Sequence, residues 1–126
     1  MTSFLSLLNW LHRPLVRRGV EDPYHAYFPE FKRMVASLPA PVVVELGARN
    51  VSGLLRRDHF PTASKYIGID IHPGEGVDIV GDAHRLSEYV EPASVDALYS
   101  FSVFEHLLYP WKVVLEINRV LKPGGF

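Results

Sequence analysis

The strongest constraint on this chain is the run Val42-Val43-Val44-Glu45-Leu46-Gly47, set directly behind Pro39-Ala40-Pro41. Three consecutive β-branched residues favour extended backbone, and the prolines before them disfavour a helix running in. So short an apolar run reads as a buried strand of a parallel sheet, beginning at about Val42 and ended by Gly47. Parallel strands cannot be joined by a tight turn, so each connection has to cross over. The remainder of the chain must therefore alternate strands with crossover segments.

It does so. Tyr66-Ile67-Gly68-Ile69-Asp70 reads as a second strand, Val77-Asp78-Ile79-Val80 as a third and Val95 to Ser100 as a fourth. Asn50 to Phe60 carries Val51, Leu54, Leu55 and Phe60 at near-helical spacing, which predicts a short helix. The clearest helix lies between Pro110 and Pro123. There Val113, Val114, Ile117, Val120 and Leu121 form one apolar stripe, with Lys112, Glu116 and Arg119 expected to face outward. Lys122-Pro123-Gly124-Gly125 stops it. The pattern is that of an α/β fold, a parallel sheet with flanking helices and right-handed crossovers. The expected division is a helical lead-in or lid over residues 1–39 and the sheet domain over residues 40–126.

Composition excludes several functions. The 126 residues, 48% hydrophobic and 21% charged, suit one globular domain. A net charge of -1 gives no electrostatic reason to expect nucleic acid. The absence of cysteine removes disulfides, thiolate nucleophiles and cysteine-held metals, and suits a reducing, cytoplasmic setting. The apolar stretch Phe4 to Leu11 is far below the ~20 residues needed for a transmembrane helix. Arg13, Arg17 and Arg18 follow it, against the order of a signal peptide, and leave residues 1–20 at +3 and the remainder at -4. This stretch reads as a lid or packing helix, with an interfacial amphipathic helix as the alternative. The six histidines show no metal-binding spacing.

In open parallel sheets, ligands bind beyond the carboxyl ends of the strands. Glu45-Leu46-Gly47 closes the first strand, Asp70 the second, and Gly81-Asp82-Ala83 follows the third. A strand-end carboxylate can accept both hydroxyls of a ribose, and a glycine lets backbone approach the ligand. Gly47 and Gly53 lack the lysine of a phosphate-binding loop, and Arg49 and Ser52 stand where a dinucleotide-binding loop needs glycine. The ligand is then a nucleoside without phosphates, and Glu45 suits one that carries an ammonium group.

These residues resemble the class I S-adenosylmethionine-dependent methyltransferases. The likeness rests on Val42 to Gly47, Tyr66 to Asp70, Gly81-Asp82-Ala83-His84, Phe101 to Leu107 and Glu116 to Gly125, in that order and spacing. It implies a Rossmann-like sheet of strand order 3-2-1-4, incomplete relative to the seven-stranded fold because the chain ends at Phe126, before the fifth strand. It also implies S-adenosyl-L-methionine as cofactor and a small-molecule acceptor. Glu45 would lie near the methionine ammonium, Gly47 and Ala48 under the cofactor, and Asp70 with Ile71 at the ribose. Asp82 and Ala83 would meet the adenine, while Ser100 and Phe101 line the methionine side.

The family's later glycines are missing after Gly47. Asn50, tolerant of left-handed backbone, is expected to preserve the turn, and Arg49 to reach the cofactor carboxylate. For a hydroxyl acceptor His106 is the candidate base, ahead of His84 and His72. The fourth strand should present an open edge, so the chain is expected to be a fragment or truncated product, or to pair that edge with itself or a partner. Two rival readings are a non-catalytic cofactor-binding or interaction protein and a nicotinamide-dependent oxidoreductase.

Overall fold

The computed structural model describes residues 23–126, so Phe4 to Leu11 and the three arginines behind them lie outside the described residues. The chain divides into two units, Met1–Arg33 and Met34–Phe126, and the sheet belongs entirely to the second. Helix α1 (Pro23–Ala36) runs across the division. Within its first part the Phe28 and Phe31 rings stack at 6.4 Å, and the Lys32 ammonium sits 5.2 Å over Phe28.

Four strands follow: β1 (Val42–Leu46), β2 (Lys65–Asp70), β3 (Ile79–Val80) and β4 (Ala97–Ser100). They lie in the order β3-β2-β1-β4, every pairing parallel. The Val42-to-Leu46 run is thus the inner strand, with Val44 opposite Ile67 on one side and Leu98 on the other. Helix α2 (Pro110–Val120) begins with proline at its first turn, where the missing N–H costs nothing.

Alternation along the strands makes two different faces. Val44, Leu46, Ile67 and Ile69 form one core with Leu86, Val90, Val113 and Val120, so α2 and the 3-10 segment Ala83–Glu88 cover that face. The opposite face holds Val43 and Glu45, with Tyr66 and Tyr99 beside them and Phe60 packed on both rings at 5.9 and 5.5 Å.

The helix expected over Asn50 to Phe60 does not form, and only a 3-10 turn, Arg56–His59, occurs there. Asn50 diverts the backbone: its side-chain oxygen accepts the Gly53 N–H at 2.8 Å, its amide donates to Glu75 at 2.7 Å, and its backbone N–H reaches the Glu75 carbonyl. Gly53 then takes φ +80°, incompatible with a helix, and Val51 and Leu54 stay exposed. Asn50 itself is not left-handed; its side chain makes the turn and Gly53 supplies the positive φ. β3 starts later than Val77, because the Val77 N–H closes a turn onto the Gly74 carbonyl and the Asp78 carboxylate accepts the Gly68 N–H at 2.7 Å. β4 likewise starts at Ala97, with Val95 making a single bridge to Leu121.

The face of α2 also differs from expectation. Glu116 is buried and Val114 exposed, the reverse of a pure apolar stripe. The cause is an unpaired backbone donor opposite: Glu116 accepts the Ser87 N–H at 2.7 Å and pairs with Arg119. The outer edge of β4 is partly covered. The Leu98 N–H donates to the Phe126 carbonyl at 2.8 Å, and the Phe126 N–H donates to the Asp96 carbonyl.

Asp96 ties the start of β1 to the end of α2, accepting the Val42 N–H at 2.8 Å and both contacts of the Lys122 ammonium at 2.8 Å. Burial alone would raise its carboxyl, but Lys122 and the Val42 amide outweigh that and hold it below the ordinary carboxylate value. For Glu116 burial is likewise outweighed by the Ser87 hydroxyl and amide and by Arg119. A carboxyl whose pKa is depressed by folding stabilises fully above its unfolded value and loses that contribution as pH falls through the folded one. Acid titration of the melting temperature should therefore fall below about pH 4, the unfolded carboxylate range. Asp96→Asn is expected to melt lower at neutral pH and to show a shallower acid limb.

Candidate functional site

Because every strand is parallel, the carboxyl ends of β1, β2, β3 and β4 meet at one rim, and the loops leaving them enclose a cavity of about 940 Å³. That is a volume suited to a nucleoside-sized ligand. Its floor is the turn after β1. The Gly47 and Ala48 N–H groups both donate to the Ile69 carbonyl, at 2.8 and 3.1 Å, folding this loop back over the end of β2. Gly47 adopts φ +79°, and a Cβ there would lie 2.3 Å from Val103 Cγ2, so backbone approaches the loop after β4 more closely than any side chain permits.

On the β2 side stands Asp70. Its Oδ2 accepts the Arg49 N–H at 3.2 Å and its Oδ1 the His72 N–H at 2.9 Å. Each oxygen uses one acceptor position on backbone, so the carboxylate is fixed while its remaining lone pairs stay available. Beyond β3, Asp82 Oδ1 accepts both the backbone N–H of His84 at 2.9 Å and its Nδ1 at 2.7 Å. Those bonds, the backbone one foremost, lower the Asp82 carboxyl and keep it ionised. The His84 Nε2 accepts the Tyr109 N–H at 3.3 Å, which leaves Nδ1 as the ring nitrogen that donates to Asp82.

Most of the expected residues come together. Gly47, Arg49, Asp70, Ile71, Asp82, Ala83, and on the far wall Phe101 and His106, all line the cavity. Glu45, Ala48 and Ser100 do not. Ala48 is buried beneath the loop, its carbonyl close to Gly76. The Ser100 hydroxyl is buried without a hydrogen-bond partner among the described residues. Glu45 is buried on the aromatic face, where Oε2 accepts the Tyr66 hydroxyl at 2.5 Å and Oε1 faces Arg56 Nη1 at 3.4 Å. The Tyr66 hydroxyl also meets that of Tyr99 at 2.5 Å, and burial, foremost, pushes both phenols up so that they stay protonated.

His106 ends the 3-10 turn Phe104–His106 with its ring exposed. Arg56, Val103, Tyr109 and Lys112 join the lining without having stood out in the sequence. Arg56 sat in an expected helix, and its partner Glu45 lies eleven residues upstream around the Gly47 turn, so no local spacing marks the pair. Among the described residues no group of histidines and carboxylates is arranged to hold a metal. No helix there is long and apolar enough to cross a membrane.

Comparison with known proteins agrees with this geometry. A family described as "Methyltransferase domain" matches residues 45–126. The ubiquinone biosynthesis O-methyltransferase of Nitrosococcus oceani is 28% identical over 132 aligned positions, covering 90% of this chain and 54% of that protein. The chain thus spans about half the length of this relative. Among solved structures, the trans-methyltransferase CalH in complex with SAH superposes with a TM-score of 0.58 at 16% identity, over 77% of this chain and 33% of that one. A proposed Type II methyltransferase from Anaeromyxobacter dehalogenans gives 0.55 at 17% identity, over 77% and 43%.

The Gly47 turn carries a direct test of this floor. Gly47→Ala adds a left-handed backbone penalty of ~1–2 kcal/mol to the contact with Val103. Denaturant titration should show a loss larger than that penalty alone, and Val103→Ala in the same chain should recover only the steric part of it.

Proposed function

The chain belongs to the methyltransferase-domain family, and on that premise we propose that it binds S-adenosyl-L-methionine at the strand-end rim and transfers the methyl group to a small-molecule hydroxyl. The observation that carries this reading is the fixed, half-satisfied Asp70 beside the Gly47 turn in a cavity with no lysine-glycine phosphate cradle. An acceptor-only carboxylate with free lone pairs fits two vicinal ribose hydroxyls. The second oxygen of Asp82, which makes no bond among the described residues, fits an exocyclic amine, and Ile71 and Ala83 supply the apolar surround of a base.

When bound, the cofactor supplies a methyl group on a sulfonium that needs no further activation. The chain's own contribution is alignment. Gly47 allows the ligand to lie against backbone, Asp70 and Asp82 hold its two polar ends, and Phe101 closes the side nearest β4. Proton removal from the acceptor falls to His106, whose ring is exposed on the cavity wall without a partner among the described residues. His84 is unsuited to that task, because both ring nitrogens are engaged by Asp82 and the Tyr109 amide. A hydroxyl acceptor is also in keeping with the O-methyltransferase relative. The lack of cysteine supports a cytoplasmic setting.

Calorimetry with S-adenosyl-L-methionine and a methyl-release assay test the two halves separately. Asp70→Ala should weaken cofactor binding by about tenfold or more, the worth of a charged hydrogen bond. His106→Ala should leave cofactor affinity in place and lower the rate with acceptor by about 10²-fold or more. Cofactor binding without methyl transfer to any hydroxyl acceptor would make the chain a binding protein and remove the enzymatic reading.

A further inference from the structure

Three arginines line the cavity; Arg85 is held by Glu88 through two contacts, and the other two stand on opposite sides of the floor. Arg49 leans toward β2: its backbone N–H is on Asp70, and its aliphatic stem lies where a Cβ on Gly74 would meet it at 2.7 Å. Arg56 leans toward β4, with its guanidinium carbon 5.1 Å over the ring of Phe101, the residue that follows that strand. With the sheet ordered β3-β2-β1-β4, Asp82 and Asp70 occupy one half of the rim and Phe101 with Arg56 the other. A nucleoside held by the two aspartates would have its 5′ substituent free to cross β1 to the Arg56 half.

Arg56 is built to receive an anion there. It faces Glu45 Oε1 through a single long contact of 3.4 Å, and its other N–H groups have no partner among the described residues except the face of Phe101. Its side chain is a quarter exposed, at the cavity wall. Glu45 is not placed to receive a cation from the ligand. It is buried and does not line the cavity, and its two oxygens face Tyr66 and Arg56.

Resting on the S-adenosyl reading above, we propose that Arg56 reads the α-carboxylate of the cofactor's amino acid tail, and that Glu45 is a positioning residue acting through Arg56, not the ammonium's own partner. The planar guanidinium suits bidentate recognition of a carboxylate. The buried carboxylate, braced by the Tyr66 hydroxyl, holds the guanidinium at the wall and keeps it from folding away over the aromatic face. Specificity for the complete amino acid tail then resides in the segment after the Gly47 loop, outside the strand-end acids.

The test compares two probes, S-adenosylhomocysteine and its decarboxylated analogue, which keeps the ammonium and lacks the carboxylate. By calorimetry the wild-type chain should prefer the carboxylate-bearing probe by about tenfold or more. Arg56→Gln should abolish that preference while leaving the decarboxylated probe bound, and Arg56→Lys should retain part of it, with circular dichroism melts confirming that each variant is folded. Glu45→Gln should reduce the preference without a selective loss of the ammonium-bearing analogue. Arg49→Ala should shift both probes alike. Preference surviving in Arg56→Gln, or lost instead in Arg49→Ala, overturns the assignment. So does Glu45→Gln weakening the decarboxylated probe as strongly as the parent. Wild type binding both probes equally sinks this inference alone, whereas binding neither sinks the S-adenosyl reading and the inference with it.

Discussion

The structure depends on one arrangement: β1 is hydrogen-bonded in parallel on both edges, to β2 and to β4. A strand so enclosed exposes neither edge nor face, and so demands the apolar β-branched residues found there. Parallel pairing on both sides also brings three carboxyl ends to one rim, because no strand runs back. The register does the rest. With Leu46 opposite Ile69, the two amides after β1 fall within reach of the Ile69 carbonyl, and the loop folds over β2 until Arg49 can donate to Asp70. The placement of Asp70, one residue beyond the last β1–β2 pair, is thus a consequence of pairing.

The carboxylates share a chemistry but not a task, and their surroundings decide between tasks. Asp78, Asp96 and Glu116 each accept a backbone N–H that lacks a ladder partner and each pairs with a cation, so their acceptor capacity is spent on the fold. Among the described residues Asp70 pairs with no cation, and Asp82 has one oxygen without a bond. Acceptor capacity left over at the rim is what separates these two carboxylates from the structural ones.

This distinction explains what could be read from the sequence. The strands and the rim residues Gly47, Asp70 and Asp82 were legible because each signal is local: an apolar run, a glycine behind it, an acid at its end; the strand order came from the family resemblance. The segment from Asn50 to Phe60 was not, since its spacing of apolar residues is helical while Asn50 and Gly53 impose a turn by side-chain hydrogen bonding and positive φ. Glu116 was misplaced for the opposite reason. A charged residue on a helix is expected outside, and only the tertiary position of the Ser87 amide, 29 residues away, draws it in. Glu45 was legible as an important acid, but the direction of its side chain depends on Tyr66 and Arg56, neither of which any spacing rule links to it.

The floor of the cavity joins these strands of argument. Gly47 lies against the loop after β4, with a hypothetical Cβ only 2.3 Å from Val103 and 3.7 Å from the Phe101 carbonyl. Such close approach requires the second loop to turn sharply as well, and Ser102 does so at φ 52°, a conformation costly for a residue that is not glycine. Two left-handed residues therefore face each other across the end of the sheet, one unstrained by its lack of a side chain and one strained. Strain of that kind persists only where surrounding structure over-determines it. Here β1 and β4 are held in register directly beneath, with Leu46 opposite Ser100. The paired ends of β1 and β4 thus hold the strained turn at Ser102 against the one residue, Gly47, whose missing side chain leaves room for it.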